Sequence, residues 1–252
     1  MVANTPLNGL KVLVTRPEQQ AKNLCDMIET TGGEAMAFPV IDIVSTDVQT
    51  WPQFVLAEQD MIIFVSRNAV TNFVNAIKEP FAKHTQLVSV GAGSAASMRL
   101  HGLHVDLQPS QSIGSEGLLL MPEFEELVGK QILIVRGKGG RELLADTLLQ
   151  RGAVVHYLEV YKRALPRPTL EQCEQAITAE CVVCTSVEGV KNLSLLLQKG
   201  LKTLLDKPML VVSERIKNYA ESLGFQNIIV TSNVSDDAVL EQLIKMENND
   251  GK

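Results

Sequence analysis

From Lys130 to Arg163 the chain passes through a short apolar block, a glycine-rich break, a spaced apolar series and a second extended run. Ile132–Val135 is continuous and rich in β-branched residues, the pattern of a strand covered on both faces. Gly137, Gly139 and Gly140 interrupt it and open a turn. Leu144, Ala145 and Leu148 then fall on one helical face. Gly152 follows that helix, where a left-handed residue often closes the last turn. The extended run after it ends at Tyr161.

The same succession occurs earlier, from Lys11 to Val44, displaced by 120 positions without a gap. Arg16 falls on Arg136, Leu24 on Leu144, Ile28 on Leu148, Gly32 on Gly152, Val40 on Val160 and Ile41 on Tyr161. The match continues, with Ser66 on Ser186, Val70 on Val190 and Asn72 on Asn192, and later Gly102 on Gly224 after small insertions. Such a repeat is a duplicated unit, too long for a solenoid.

In the first copy the pattern predicts strands at Leu10–Thr15, Met61–Val65, Gln86–Val90 and His104–Leu107, with Phe38–Val44 extended. Helices are expected at Pro17–Thr30, near Gln53–Glu58, at Ala69–Ile77, up to His101, and from Ser115. The second copy gives strands at Cys181–Cys184, Met209–Val212 and Asn227–Val230, and helices at Thr169–Ile177, Gly189–Gln198, Glu214–Leu223 and Asp236–Met246. Alternating strands and helices predict an α/β protein of parallel sheets covered on both faces. Ligands of such sheets bind beyond the carboxyl ends of the strands. That rule selects the polar turns at Arg16, at Ser66 and Asn68, from Gly91 to Ser94, at Arg136 and Gly137, at Ser186, at Ser213 and at Ser235. A cleft between two such rims suits a ligand larger than a nucleotide.

Composition narrows the function classes. With 23 basic and 29 acidic residues and a net charge of −6, the chain lacks the basic surplus of a general nucleic-acid binder. An aromatic content of 4% argues against stacking platforms for single strands. No apolar run approaches the roughly 18 residues needed to span a bilayer, and the N-terminus has no signal-peptide pattern, which points to the cytoplasm. Cys181 and Cys184 form a C-x-x-C inside an expected strand, where residues three apart face opposite ways and share neither metal nor disulfide. No metal site is expected.

Two glycine motifs carry possible chemistry. Val90–Ala96 (VGAGSAA) fits the loose dinucleotide fingerprint, but Asp106, the nearest acid for a ribose, lies mid-strand. Arg136–Glu142 (RGKGGRE) lacks the ending of a phosphate loop, yet a glycine turn at a helix start with Lys138 and Arg141 nearby suits an anion, carboxylate or phosphate. Tyr161 is a third candidate, because one copy has a phenol where the other has Ile41. A phenol is protonated at neutral pH and acts there as a proton donor. The competing reading is an aromatic packed at a domain boundary with its hydroxyl in water.

Taken together, KVLVTRP at 11–17, IIFVSRNAV at 62–70, VSVGAGSA at 88–95, the run 132–163 and CTSVEGV at 184–190 resemble the uroporphyrinogen-III synthase family over nearly the whole chain. The resemblance implies two similar flavodoxin-like α/β domains joined by a two-stranded β-ladder, with the site in the cleft between them. One domain would comprise 1–37 and 166–252, the other 45–157, with 38–44 and 158–165 as linkers. It implies a cofactor-independent cyclisation of hydroxymethylbilane, a polycarboxylate linear tetrapyrrole, with inversion of the last ring through a spiro intermediate and loss of water. The family's tyrosine falls on Tyr161, expected to help the hydroxyl leave. Substrate contacts are expected from Arg16, Ser66, Asn68, Gly91, Ser94, Arg136, Gly137, Ser186, Ser213 and Ser235. Ser94 and Ser235 stand where the family usually has threonine. A monomer without membrane or nucleic-acid partners is implied. Two other readings stay open on the residues alone: a hinge-type small-molecule binding protein, and a nicotinamide-dependent enzyme using VGAGSAA.

Overall fold

The computed structural model describes residues 5–51, 56–77, 82–110, 114–140 and 142–250, without the side chains of 249 and 250. The elements in order are β1 (Lys11–Val14), α1 (Glu18–Thr30), β2 (Glu34–Ala37), β3 (Asp42–Ser45), β4 (Met61–Phe64), α2 (Arg67–Ala76), β5 (Gln86–Ser89), α3 (Ala92–Leu100) and α4 (Ser115–Leu119). Then come β6 (Gln131–Gly137), α5 (Leu143–Gln150), β7 (Val154–Ala164), α6 (Leu170–Ala176), β8 (Cys181–Val183), α7 (Val187–Leu197), β9 (Met209–Val211), α8 (Glu214–Ser222), β10 (Ile228–Val230) and α9 (Asp236–Asp250). The chain divides into two compact units, Met1–Asp42 with Ala164–Lys252, and Ile43–Arg163.

In the first unit the sheet order is β10-β9-β8-β1-β2, every neighbouring pair parallel. In the second it is β5-β4-β6-β7-β3, parallel from β5 through β7. The duplication explains why the two orders agree. β1 and β2 of the first copy correspond to β6 and β7 of the second, and β4 and β5 correspond to β8 and β9. Each sheet therefore takes its first two strands from one copy and the next from the other: the first sheet has the flavodoxin-like order 2-1-3-4-5, and the second has the order 2-1-3-4 with β3 added at the outer edge beside β7. The helix ends repeat as well. Gly32 and Gly152, with φ of +88° and +85°, close α1 and α5 in the left-handed conformation that a side chain disfavours.

Continuous apolar strands form because both faces are covered. In the second unit Ile62, Phe64, Leu133 and Val135 face one core, while Met61, Ile63, Ile132 and Ile134 face the other. Phe64 and Phe73 meet edge to face at 5.2 Å in the first of these cores. In the first unit Val12, Val14, Cys181 and Val183 pack with Leu24 and Ile28 of α1 and Val239 and Leu243 of α9. Cys181 and Cys184 are buried, and burial pushes the Cys181 thiol up to about 12 and raises that of Cys184.

Four sequence expectations need correction. The strand after α1 is Glu34–Ala37, paired with β1, rather than one extended run from Phe38; the next strand starts only at Asp42. EAMA alternates too weakly to mark a strand, because this is a sheet edge with half its side chains exposed. The expected strand at 104–107 reduces to a single bridge between Leu107 and Val88. Arg67 and Asn68 belong to the first turn of α2, since Ser66 caps that helix. Finally, part of the helix expected near 53–58 lies outside the described residues, and Leu56–Glu58 is a 3₁₀ turn. Among the described residues no helix is long and apolar enough to cross a membrane.

Candidate active site

In the order 2-1-3-4-5 the chain reverses direction across the sheet between strands 1 and 3, and the strand ends there leave a crevice. In the second unit these strands are β6 and β4, which run in register from Met61 beside Ile132 to Phe64 beside Val135. Their carboxyl ends deliver Arg136 and Gly137 next to Val65 and Ser66. A cavity of about 190 Å³ opens there, lined by these residues and by Tyr157, Tyr161, Lys138 and Arg163. That is below the roughly 300–1,000 Å³ of a whole ligand site, so the cavity fits one part of a larger molecule.

Tyr161 reaches this place through a local irregularity. Gln131 to Arg136 pair one-for-one with Val154 to Glu159, but Gly137 pairs with Tyr161, skipping one residue of β7. Such a bulge re-aims the next side chain. Val160 and Tyr161 consequently both join the core on the α2 side, where strict alternation would have sent them apart. The ring lies directly against Gly137: a Cβ there would sit 2.5 Å from Cζ of Tyr161. The Tyr161 carbonyl accepts from Lys138 N–H at 2.7 Å, which pins the bulge. Although only 3% exposed, the residue contributes to the cavity wall.

The Tyr161 hydroxyl lies 3.2 Å from Ser66 Oγ. Ser66 is also the N-cap of α2, its Oγ accepting from Ala69 N–H at 3.1 Å. One hydroxyl thus joins the helix start to the phenol. Replacing Ser66 by alanine should lower stability by about 1 kcal/mol through the lost cap, read as a lower midpoint in denaturant at unchanged slope.

Arg136 is buried, and the loop after β6 wraps around it. Its Nε donates to the carbonyls of Gly139 (3.1 Å) and Gly137 (3.3 Å), and its Nη1 to Glu142 Oε1 (3.2 Å). Its guanidinium carbon stands 4.5 Å from the centre of the Tyr157 ring. Tyr157 donates its hydroxyl to Glu142 Oε2. Burial, then the bond to Glu142, pushes the Tyr157 phenol up to about 12; the same bond holds Glu142 below the usual carboxylate range. Arg141, a candidate anion ligand, lies outside the described residues.

The structure therefore brings four expected residues together: Ser66, Arg136, Gly137 and Tyr161. Asn68, Gly91 and Ser94 sit at the strand ends of the same unit but outside the cavity lining. Ser94 is buried in the first turn of α3 and donates back to the Gly91 carbonyl at 3.0 Å. Arg16, Ser186, Ser213 and Ser235 belong to the first unit, on its strand ends. Arg16 pairs with Asp236; Ser186 and Ser235 cap α7 and α9, accepting from Gly189 N–H (2.9 Å) and Ala238 N–H (3.2 Å). Ser213 precedes α8 without a side-chain cap bond. Tyr157 and Glu142 join the site in the structure without standing out in the sequence. Their signal is faint: a second tyrosine four residues before Tyr161, and an acid closing the glycine loop.

The VGAGSAA turn does not form a nucleotide cradle. The space over Gly93 holds the Arg67 side chain, 3.0 Å from where a Cβ would stand. Asp106 accepts from Leu87 N–H at 2.7 Å, near the start of β5 and away from the glycines at its end.

A family model described as Uroporphyrinogen-III synthase HemD matches residues 22–241. The uroporphyrinogen-III synthase of Escherichia coli (strain K12) is 35% identical over 247 residues, covering 93% of this chain and 100% of that protein. That of Salmonella typhimurium is 32% identical over 249 residues, covering 93% and 100%. Among solved structures, uroporphyrinogen-III synthetase from Helicobacter pylori 26695 matches with a TM-score of 0.66 and 15% identity over 94% of this chain and 99% of that one. A mutant uroporphyrinogen III synthase from the extremely thermophilic bacterium Thermus thermophilus matches at 0.57 and 16%, over 94% and 100%. At these identities the two structures speak for the fold.

Proposed function

The chain belongs to the uroporphyrinogen-III synthase family, and on that premise we propose that it cyclises hydroxymethylbilane to uroporphyrinogen III, with Tyr161 as proton donor to the leaving hydroxyl. The observation that carries the assignment of roles is the Tyr161–Ser66 pair, 3.2 Å apart on the wall of a switch-point cavity. Among the described residues its lining includes Arg136, Lys138 and Arg163 and no acidic side chain. Three cations suit a polycarboxylate substrate of an acidic protein, because clustered charge in a concave site outweighs net charge at a distance.

The pyrrole nitrogen's electron pair expels the terminal hydroxyl, and the Tyr161 proton makes it water. The electrophilic carbon left behind is attacked by the substituted position of the last ring, giving a spiro centre that fragments and recloses with the ring inverted. Ser66 accepts from Ala69 N–H and has one proton to give. Donated to the Tyr161 oxygen, it leaves the phenol's own proton directed into the cavity. The remaining acceleration comes from holding a flexible chain with the substituted carbon nearest the electrophile.

Substrate contacts at the remaining expected positions, action as a monomer in the cytoplasm, and the domain limits 1–37 with 166–252 and 45–157 form part of the same proposal. Purified protein given freshly made hydroxymethylbilane should yield the type III isomer, separated by chromatography after oxidation. A product containing only the type I isomer, which forms without catalysis, would reject the assignment.

A further inference from the structure

Glu142 is an exposed carboxylate holding a buried cation. Its side chain is 55% exposed, while that of Arg136 is 6%. Two donors converge on it, Arg136 Nη1 at 3.2 Å and the Tyr157 hydroxyl. The arginine is fixed independently, by two loop carbonyls and the Tyr157 ring. The carboxylate is thus the one member of the group that can return to water at little cost. The other unit holds a buried arginine in a related way, though its carboxylate is less exposed, at 22%. Arg16, equally placed after the first strand and 9% exposed, pairs with Asp236, which also accepts from Asn23 Nδ2 at 2.6 Å. In each unit a buried arginine and a second donor hold one carboxylate of the protein.

We propose that Glu142 stands in for a substrate carboxylate: it occupies the Arg136–Tyr157 donor pair in the unliganded protein and is displaced when a side-chain carboxylate of the tetrapyrrole enters the adjoining cavity. This rests on the reading that the substrate is that polycarboxylate. The exchange has a physical reason. An unpaired buried guanidinium is costly, so the site needs an anion at all times. A protein carboxylate meets that need without occupying the cavity, and its exposure keeps it replaceable. Tyr157 stays protonated through neutral pH, because burial pushes its phenol up to about 12. Competition, rather than protonation, then releases Glu142. Small anions gain little, since they must win against an acid tethered to the same loop. A substrate held elsewhere by its other carboxylates presents a higher effective concentration and wins.

The test is Glu142→Gln, which keeps the shape at an exposed position and removes the competing charge. KM for hydroxymethylbilane should fall about three- to tenfold, as expected for removing one charge-assisted competitor, with a smaller change in kcat. Fluorescence titration with uroporphyrin III, the oxidised product, should show a parallel drop in Kd. In an Arg136→Gln background the gain should vanish. KM and Kd unchanged or raised in Glu142→Gln would overturn the proposal, because Glu142 would then merely brace the loop. A gain that persists without Arg136 would overturn it too, and if Arg136→Gln does not fold the single variant decides. Failure of the wild type to make the type III isomer would instead reject the assigned reaction.

Discussion

Tyr161→Phe is expected to fold normally and to lose about 10²–10⁴-fold in kcat, the usual worth of a positioned general acid. The fold survives because the ring keeps its place in the core of the second unit, against Gly137. Only the 3.2 Å contact with Ser66 is lost, a change of about 1 kcal/mol for one neutral hydrogen bond. Ser66 still caps α2 through Ala69. The loss should appear in kcat more than in KM, since the phenol's proton matters when the hydroxyl leaves and little when substrate docks. Single-turnover formation of the type III isomer is the measurement. Wild-type turnover in a folded Tyr161→Phe would remove the phenol from the mechanism and leave Arg136, Lys138 and Arg163 as a purely orienting set.

Much of this site was legible because the chain is written twice. The fixed displacement between Arg16 and Arg136, and between Ser66 and Ser186, marks equivalent strand ends in the sequence itself. The single mismatch of Ile41 with Tyr161 marked where the copies differ in chemistry. Three things were not legible, each for a physical reason. The bulge that turns Tyr161 towards Ser66 is a property of two strands in register, and nothing in VYKR alone announces it. The strand Glu34–Ala37 is held by its pairing with β1 rather than by its own pattern. The Glu142–Tyr157 contact spans a loop and a helix, and it depends on left-handed backbone at Gly139 and Gly140, with φ of +73° and +118°, to bring the acid back over Arg136. Loop closure of that kind leaves only glycines in the sequence, and glycines fit a phosphate turn equally well.

Gly137→Ala should have the second-largest effect, by a steric route that does not involve backbone strain. Gly137 has no positive φ, so alanine is conformationally acceptable there. Its Cβ, however, would lie 2.5 Å from Tyr161 Cζ, 2.7 Å from Cε2 and 2.9 Å from the hydroxyl oxygen. The ring must move by about 1 Å, a misplacement that can cost about 10²-fold in rate, and overpacking of this kind destabilises by about 1–3 kcal/mol. Gly139→Ala makes the opposite comparison. At φ +73° with no neighbour within 4 Å it strains the backbone but leaves Tyr161 in place. It should lower stability by about 1–2 kcal/mol while retaining far more activity. The decisive measurement combines variants. If Gly137→Ala acts by displacing the phenol, adding it to Tyr161→Phe should slow the type III reaction much less than it slows the wild type, because the hydroxyl it would displace is already absent. Full additivity of the two losses would place the role of Gly137 elsewhere, in the path of the loop around Arg136.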